Sequence, residues 1–345
     1  MTRRLRVAVI SGGRSSEHEI SIASARSVVA ALDPERYETT AIEIGRDGRW
    51  ELSSGVTTLP RPVPTGQARS TTETLPVITN SAPGTELGRV DVVLPILHGP
   101  FGEDGTVQGL LELAGVPYVG AGVAASALCM DKDLFKAVLR DRGIPVAQNV
   151  TLRDGDAPQH PFSYPVFVKP ARLGSSVGIS KVHAEDELGP AIELARIHDD
   201  KVLIEELLDG VEVECGVLGN RDPIASQVGE IVANAEWYDY SAKYDEDGME
   251  LVIPARIPLD AAERVRRLAI ESFVATECEG MARIDLFVRP GGDVVVNEIN
   301  TIPGFTATSV YAKLFEASEI SYGELLDRLI QLALERHERR SRLRF

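Results

Sequence analysis

The chain has 345 residues, enough for two or three domains with sizeable cores. With 43% hydrophobic and 26% charged residues it has a globular composition, and a formal net charge of −16 disfavours nucleic acid or an anionic membrane as its main partner. Its three cysteines, Cys129, Cys215 and Cys278, are widely spaced and form no CxxC pattern, so neither a disulfide framework nor a zinc site is indicated and buried thiols are expected.

The first residues are basic and then apolar, over a run too short for a signal peptide, and no stretch approaches a membrane span, so a cytoplasmic location is expected. Residues 6–10 read as a first strand. Ser16 and Glu19 have capping-box spacing for a helix over 17–32, and a strand over 39–44 follows. This β-α-β order implies a parallel sheet covered by helices. Residues 53–88, rich in Ser, Thr, Pro and Gly, read as a long surface insertion. A buried strand over 90–97, a helix over 106–113 and a strand over 116–119 come next. Gly120-Ala-Gly122 then enters a helix whose later part holds Lys132 and Lys136. From 145 onward strands dominate (165–169, 178–182, 202–206, 212–218), with a helix over 185–196 between the second and third. Residues 237–243 read as a loop, 261–278 as a helix, and Ser321 to Glu324 as the capping box of a closing amphipathic helix.

Three segments could hold a nucleotide. Lys169-Pro-Ala-Arg-Leu-Gly174-Ser175-Ser176-Val-Gly178 lies between two strands, so its small residues could lie as a flap over phosphates, with Lys169 as a point charge and Ser176 adding a donor. The chain has no Gly-Lys dipeptide, which excludes a Walker A loop. Lys132 and Lys136, four apart on one helix face, could add charge to the same phosphates; a solvated pair is the alternative. The strand running into Glu205, Glu206 and Leu208 could read an adenine edge, with Glu212 on a ribose hydroxyl. The competing motif is Gly120-Ala-Gly122-Val-Ala-Ala125, a GxGxxA that invites an NAD(P)-dependent oxidoreductase. Its acidic ribose partner should end a second strand; Asp141 has nearly the spacing but sits at a helix end.

The hairpin over 281–300 carries the strongest signal. If its turn centres on Gly291-Gly292, Asp285 faces Glu298 and Arg283 faces Asn300, all on one side. Opposed carboxylates repel, and a hard divalent cation relieves that repulsion, so the face reads as half of a Mg-nucleotide site; a solvated polar face is the alternative. A slip of one residue would separate the acids.

Taken in order, these segments resemble the D-alanine–D-alanine ligases of the ATP-grasp superfamily. The matching runs are Gly12–Ser21, His98–Gly105, Met130–Lys132, Lys169-Pro170 with Gly174–Gly178, Tyr238–Tyr244, Arg283–Asp285, and Asn297–Gly304 with Ser309. The resemblance implies an α/β fold, α+β in its C-terminal part. It has a Rossmann-like N-terminal domain (1–125), a central lid (126–208) and a C-terminal antiparallel-sheet domain (209–345). ATP would be clasped between the last two and two Mg²⁺ ions (or Mn²⁺) bound by Asp285, Glu298 and Asn300. It implies ligation of two D-alanines through D-alanyl phosphate, for peptidoglycan precursors, by a homodimer. Glu17 would hold the first substrate's ammonium, organised with Ser175 and Tyr244. Arg283 and the Gly304 N–H would stabilise the oxyanion, and Ser309 and Lys243 would contact the second substrate or the transferred phosphate. His98 either orients the intermediate or satisfies a strand-end carbonyl. The Lys243-Tyr244 pair favours D-alanine as acceptor over D-lactate; a D-alanine:D-serine ligase is the other alternative within the class.

Overall fold

The computed structural model describes residues 3–52, 90–233 and 249–344. The 53–88 insertion and the 237–243 loop lie outside them. The first sheet comprises β1 (Leu5–Gly12), β2 (Tyr37–Ile44), β3 (Trp50–Leu52) and β4 (Val92–Pro95) in the order β3-β2-β1-β4, with α1 (His18–Ala31) joining β1 to β2. β1 is parallel to both neighbours. Val7 and Val9 point into one core and Ala8 and Ile10 into another, which explains their unbroken apolar run. The capping box at Ser16 and Glu19 does not form: α1 starts one residue later than its spacing requires, with Glu17 at the cap position and no side-chain cap bond. The strand expected over 116–119 is a single parallel bridge between Tyr118 and Val93.

α2 (Thr106–Leu113) matches its predicted range. The long helix expected after Gly122 is two, α3 (Val123–Met130) and α4 (Lys132–Asp141). Asp131 makes the break, because its extended backbone stops α3 while its side chain accepts from the N–H groups of Asp133 and Leu134. The second sheet is antiparallel, order β5-β8-β6-β7, from β5 (Asn149–Leu152), β6 (Val166–Pro170), β7 (Ser180–Val182) and β8 (Val202–Glu206). α5 (Glu185–Arg196) covers the face carrying Val166, Val168, Val202 and Ile204. Alternation therefore puts Lys169 and Glu205 on the other face.

The third sheet is antiparallel, order β11-β10-β9-β12-β13, from β9 (Val211–Gly219), β10 (Ile224–Ala233), β11 (Met249–Val252), β12 (Gly280–Val288) and β13 (Val294–Asn300). α6 (Leu259–Ala275) packs on one face through Val265, Ala269 and Phe273, and Phe135 and Leu139 of α4 join that core. Tyr311 and Phe315 of α7 (Val310–Glu316) cover part of the other face. α8 (Tyr322–Ser341) buries Leu325, Leu326, Leu329, Ile330 and Ala333, as its period predicts, and the Ser321 hydroxyl accepts from the Glu324 N–H. Among the described residues no helix is long and apolar enough to cross a membrane.

The Gly120-Ala-Gly122 stretch is spent on packing. Gly120 has φ +95°, and a Cβ on Gly280 would meet the Gly120 backbone at 3.2 Å, so two chain segments touch where side chains would hold them apart. The buried Arg336 guanidinium lies over the Tyr118 ring and donates to the Gly120 and Tyr118 carbonyls.

On β9, an added Cβ at Gly216 would lie 2.7 Å from the Phe315 ring and 3.1 Å from that of Tyr311. Both rings are fully buried and closely packed. Gly216→Ala is therefore expected to destabilise the fold by about 1–3 kcal/mol, read as a lower midpoint in urea or heat.

Candidate active site

The hairpin of β12 and β13 has two registers. Near the site Arg283 pairs with Asn300 and Asp285 with Glu298, as predicted from a turn centred on Gly291-Gly292. Nearer the turn Leu286 pairs with Val296 and Val288 with Val294, one residue out of step, so Asn297 is the extra residue of a bulge. Val294 and Val296 point into the α6 core. Without the bulge Glu298 would follow them. With it, Ile299 takes the core position, and Glu298 and Asn300 join Asp285 on the cleft face.

That face is dense in charge. The Arg283 guanidinium donates to both oxygens of Asp285 (2.7 and 2.8 Å) and lies 2.9 Å from a Glu214 oxygen. The Asn300 amide donates to Asp285 at 3.0 Å. Burial works against the guanidinium, but Asp285, Glu214 and Glu298 hold its pKa well above the ordinary arginine value. Glu214 was not selected from sequence, although it stands two residues from Glu212 on one strand and hence on the same face.

Lys132 reaches this face from α4. Its ammonium is 2.8 Å from Glu298 and donates to the Leu173 carbonyl at 2.8 Å. Burial opposes its charge, but Glu298, Glu205 and Glu103 keep it protonated above the ordinary lysine range. Lys169, 2.5 Å from Glu205, stands opposite on the lid sheet. Lys136 does not extend toward phosphates: it is fully buried and its ammonium ends on the other Glu205 oxygen. The stripe of lysines on α4 thus reads as a solvated face by period and is an interior one by packing. Lys201, also missed, is buried between Asp131 and Asp133 and ties the start of α4 to the lid sheet.

Ser175 and Ser176 of the flap both adopt left-handed φ (+54° and +57°), a conformation rare outside glycine. Glu206 is engaged with the Gln148 N–H and Arg289, and Leu208 packs with Ala147 and Val295. Glu212 lies across from Phe287 near the start of β9.

Glu17 lies at the start of α1, and a Cβ on Gly99 would sit 3.2 Å from its carboxylate, so the His98–Gly105 turn closes directly on it. Within that turn Glu103 accepts from the N–H groups of Gly99 (2.8 Å) and Ile302 (3.3 Å). Burial, reinforced by Glu17 and Glu298, pushes its pKa up to about 8 despite those donors. Buried His98 binds the Ile302 carbonyl through Nδ1 at 2.9 Å, and its Nε2 has no hydrogen-bond partner among the described residues. Gly304 sits beside Ser309, whose hydroxyl accepts from the Thr306 N–H at 3.0 Å. Lys243 and Tyr244 lie outside the described residues.

Two carboxylates and a carboxamide on one sheet face supply the hard oxygen donors that suit Mg²⁺ or Mn²⁺. A lid sheet with a flap, facing an acidic antiparallel sheet, defines an ATP-grasp enzyme. Family models described as D-ala D-ala ligase N-terminus and C-terminus match residues 6–121 and 138–331. The chain is 46% identical to D-alanine--D-alanine ligase A of Chromobacterium violaceum, over 96% of each chain. It is similar to the solved D-alanine-D-alanine ligase of Coxiella burnetii (TM-score 0.85, 38% identity, 99% of this chain and 97% of that one). It also resembles the VanG D-Ala:D-Ser ligase of Enterococcus faecalis (0.82, 36%, 96% and 100%). The Bacillus anthracis D-alanine--D-alanine ligase solved complexed with ATP is similar too (0.77, 28%, 97% and 99%). The chain belongs to the D-alanine–D-alanine ligase family.

The Lys132–Glu298 pair should behave as a unit. Lys132→Met and Glu298→Gln are each expected to destabilise more than their combination, with a coupling of about 1–3 kcal/mol in a urea double-mutant cycle.

Proposed function

We propose that the protein joins two D-alanines to D-alanyl-D-alanine, with cleavage of ATP to ADP and phosphate, in the cytoplasm and as a homodimer, supplying peptidoglycan precursors. The observation that carries the reading is the meeting of Lys132 with Glu298 between the lid and the acidic hairpin. A cation for phosphate and a carboxylate for metal stand there in one cleft. One sheet in each of the ranges 1–125, 126–208 and 209–345 supports the three-part division.

In this reading the Glu17 carboxylate takes the ammonium of the first D-alanine, at a helix start where negative charge is favoured. Ser175 and Tyr244 hold Glu17 in place. Lys132, Lys169 and the Ser176 turn receive the phosphates, the strand end from Glu205 to Leu208 receives adenine, and Glu212 receives ribose. Asp285, Glu298 and Asn300 would hold Mg²⁺ or Mn²⁺, two ions in all, which would neutralise phosphate oxygens. A carboxylate oxygen of the first D-alanine forms a bond to the γ-phosphorus as the bond to ADP breaks. The neutral amine of the second D-alanine then attacks the acyl carbon, and the C–O bond to phosphate breaks as the amine proton is lost. Arg283 and the Gly304 N–H stabilise the oxyanion between these events. Fixed donors of this kind are typically worth about 3–4 kcal/mol each. Ser309 and Lys243 contact the acceptor or the transferred phosphate, and His98, whose Nε2 has no partner among the described residues, orients them.

The likeness to a D-Ala:D-Ser ligase keeps that acceptor as a second reading. Phosphate release from Mg-ATP should depend on D-alanine and not L-alanine, and product mass separates dipeptide from D-alanyl-D-serine. Release that ignores D-alanine, or full activity in Asp285→Ala, would remove the assignment. Because the attacking amine must be neutral, dipeptide formation should fall from about pH 9 to about pH 6; a flat rate would contradict the mechanism.

A further inference from the structure

Lys136 is a buried lysine of the cleft that neither phosphate nor metal accounts for. It lies on α4, one turn after Lys132, with no exposed surface. Its ammonium ends on Glu205 Oε1, while Glu205 Oε2 lies 2.5 Å from Lys169. Three elements therefore contribute to one buried cluster: α4 gives Lys136, β8 gives Glu205 and β6 gives Lys169. Two ammoniums share one carboxylate, so the cluster carries one surplus positive charge. Burial alone would push Glu205 up, yet the two lysines hold it below the ordinary glutamate value.

We propose that Lys136 is a positioning residue for the nucleotide: by occupying half of the Glu205 carboxylate, it keeps the Lys169 ammonium from being neutralised there and leaves that charge for the phosphates of ATP. The inference rests on the reading of Lys169 as a phosphate ligand. Removing Lys136 turns the cluster into a neutral pair in which Glu205 satisfies Lys169 alone. In an interior of low dielectric that pairing is strong, and a phosphate must then compete with it.

The same geometry gives a pH signature. Burial lowers the Lys136 ammonium to about 8, with Lys169 and Lys132 acting in the same direction and Glu205 opposing them. A lysine with a lowered value is protonated below it and loses its proton as pH rises through it. The cluster should therefore pass from one surplus charge to none near pH 8. The pH profile of kcat/KM for ATP reports groups of the free enzyme and should fall on that alkaline limb.

The test is steady-state kinetics in ATP at saturating D-alanine, from about pH 6 to about pH 10. Lys136→Met should raise KM for ATP by about tenfold, more than it lowers kcat, and should lack the alkaline fall. Lys136→Arg keeps a charge that does not titrate in this range, so it should hold KM near that of the wild type and also lack the fall. In a Glu205→Gln background, whatever that change does to adenine binding, adding Lys136→Met should leave KM for ATP close to that of Glu205→Gln alone, because the amide does not neutralise Lys169. An unchanged KM in Lys136→Met, an alkaline fall that persists in Lys136→Arg, or a rise in KM on adding Lys136→Met to Glu205→Gln as large as on adding it to the wild type would overturn the proposal. Where Lys136→Met does not fold, the other two variants decide. Lys169→Met separates the two readings. If it leaves KM for ATP unchanged, the phosphate role of Lys169 fails; if it raises KM while Lys136→Met does not, only the role of Lys136 fails.

Discussion

Like charges on one sheet face repel, and the architecture of the cleft is arranged around that constraint. Glu214, Asp285 and Glu298 stand on adjacent strands with their side chains toward the cleft. Arg283, from the same strand as Asp285, answers two of them, and Lys132 of α4 answers the third. Glu205, across the cleft, is answered by Lys136 of the same helix and by Lys169. α4 therefore has to lie between two sheets. Phe135 and Leu139 seat it in the α6 core, while Asp133 and Lys136 bind the lid sheet. α4 meets both with separate buried stripes and leaves the strip of Leu134, Ala137 and Asp141 exposed.

That double burial is also what the sequence conceals. A helix with lysines four apart reads as amphipathic with its charge outward, and only the second sheet makes the outward face an inward one. The hairpin was legible for a subtler reason. Counting from a turn at Gly291-Gly292 gives the correct partners for Arg283 and Asp285, but Val294 and Val296 face the core, and strict alternation would send Glu298 after them. An acid directed into a core was the available sign of a bulge at Asn297. Glu214 could have been found by the same alternation from Glu212. The pairing of Lys201 with Asp131 and Asp133 had no local signal, because residues about seventy positions apart meet only once the lid sheet is formed.

The GxGxxA stretch shows how the same residues serve another physical need. Glycines beside a pyrophosphate allow backbone to approach a ligand, whereas Gly120 allows backbone to approach backbone at Gly280. The preceding segment is one bridge rather than a full strand, and Arg336 claims the Gly120 carbonyl. Two donors from one buried guanidinium fix the turn that a dinucleotide would otherwise have to organise.

The buried lysine cluster sits in a chain of net charge −16. At separations beyond the Debye length, about 8 Å at physiological ionic strength, an anionic nucleotide meets the field of the whole molecule; within it, the local ammoniums prevail. Under the proposed phosphate role of Lys132 and Lys169, capture and approach are governed by charges of opposite sign. Salt weakens the long-range repulsion more than the buried attraction, so nucleotide encounter is eased as ionic strength rises from low values, the reverse of electrostatic steering into a basic surface site.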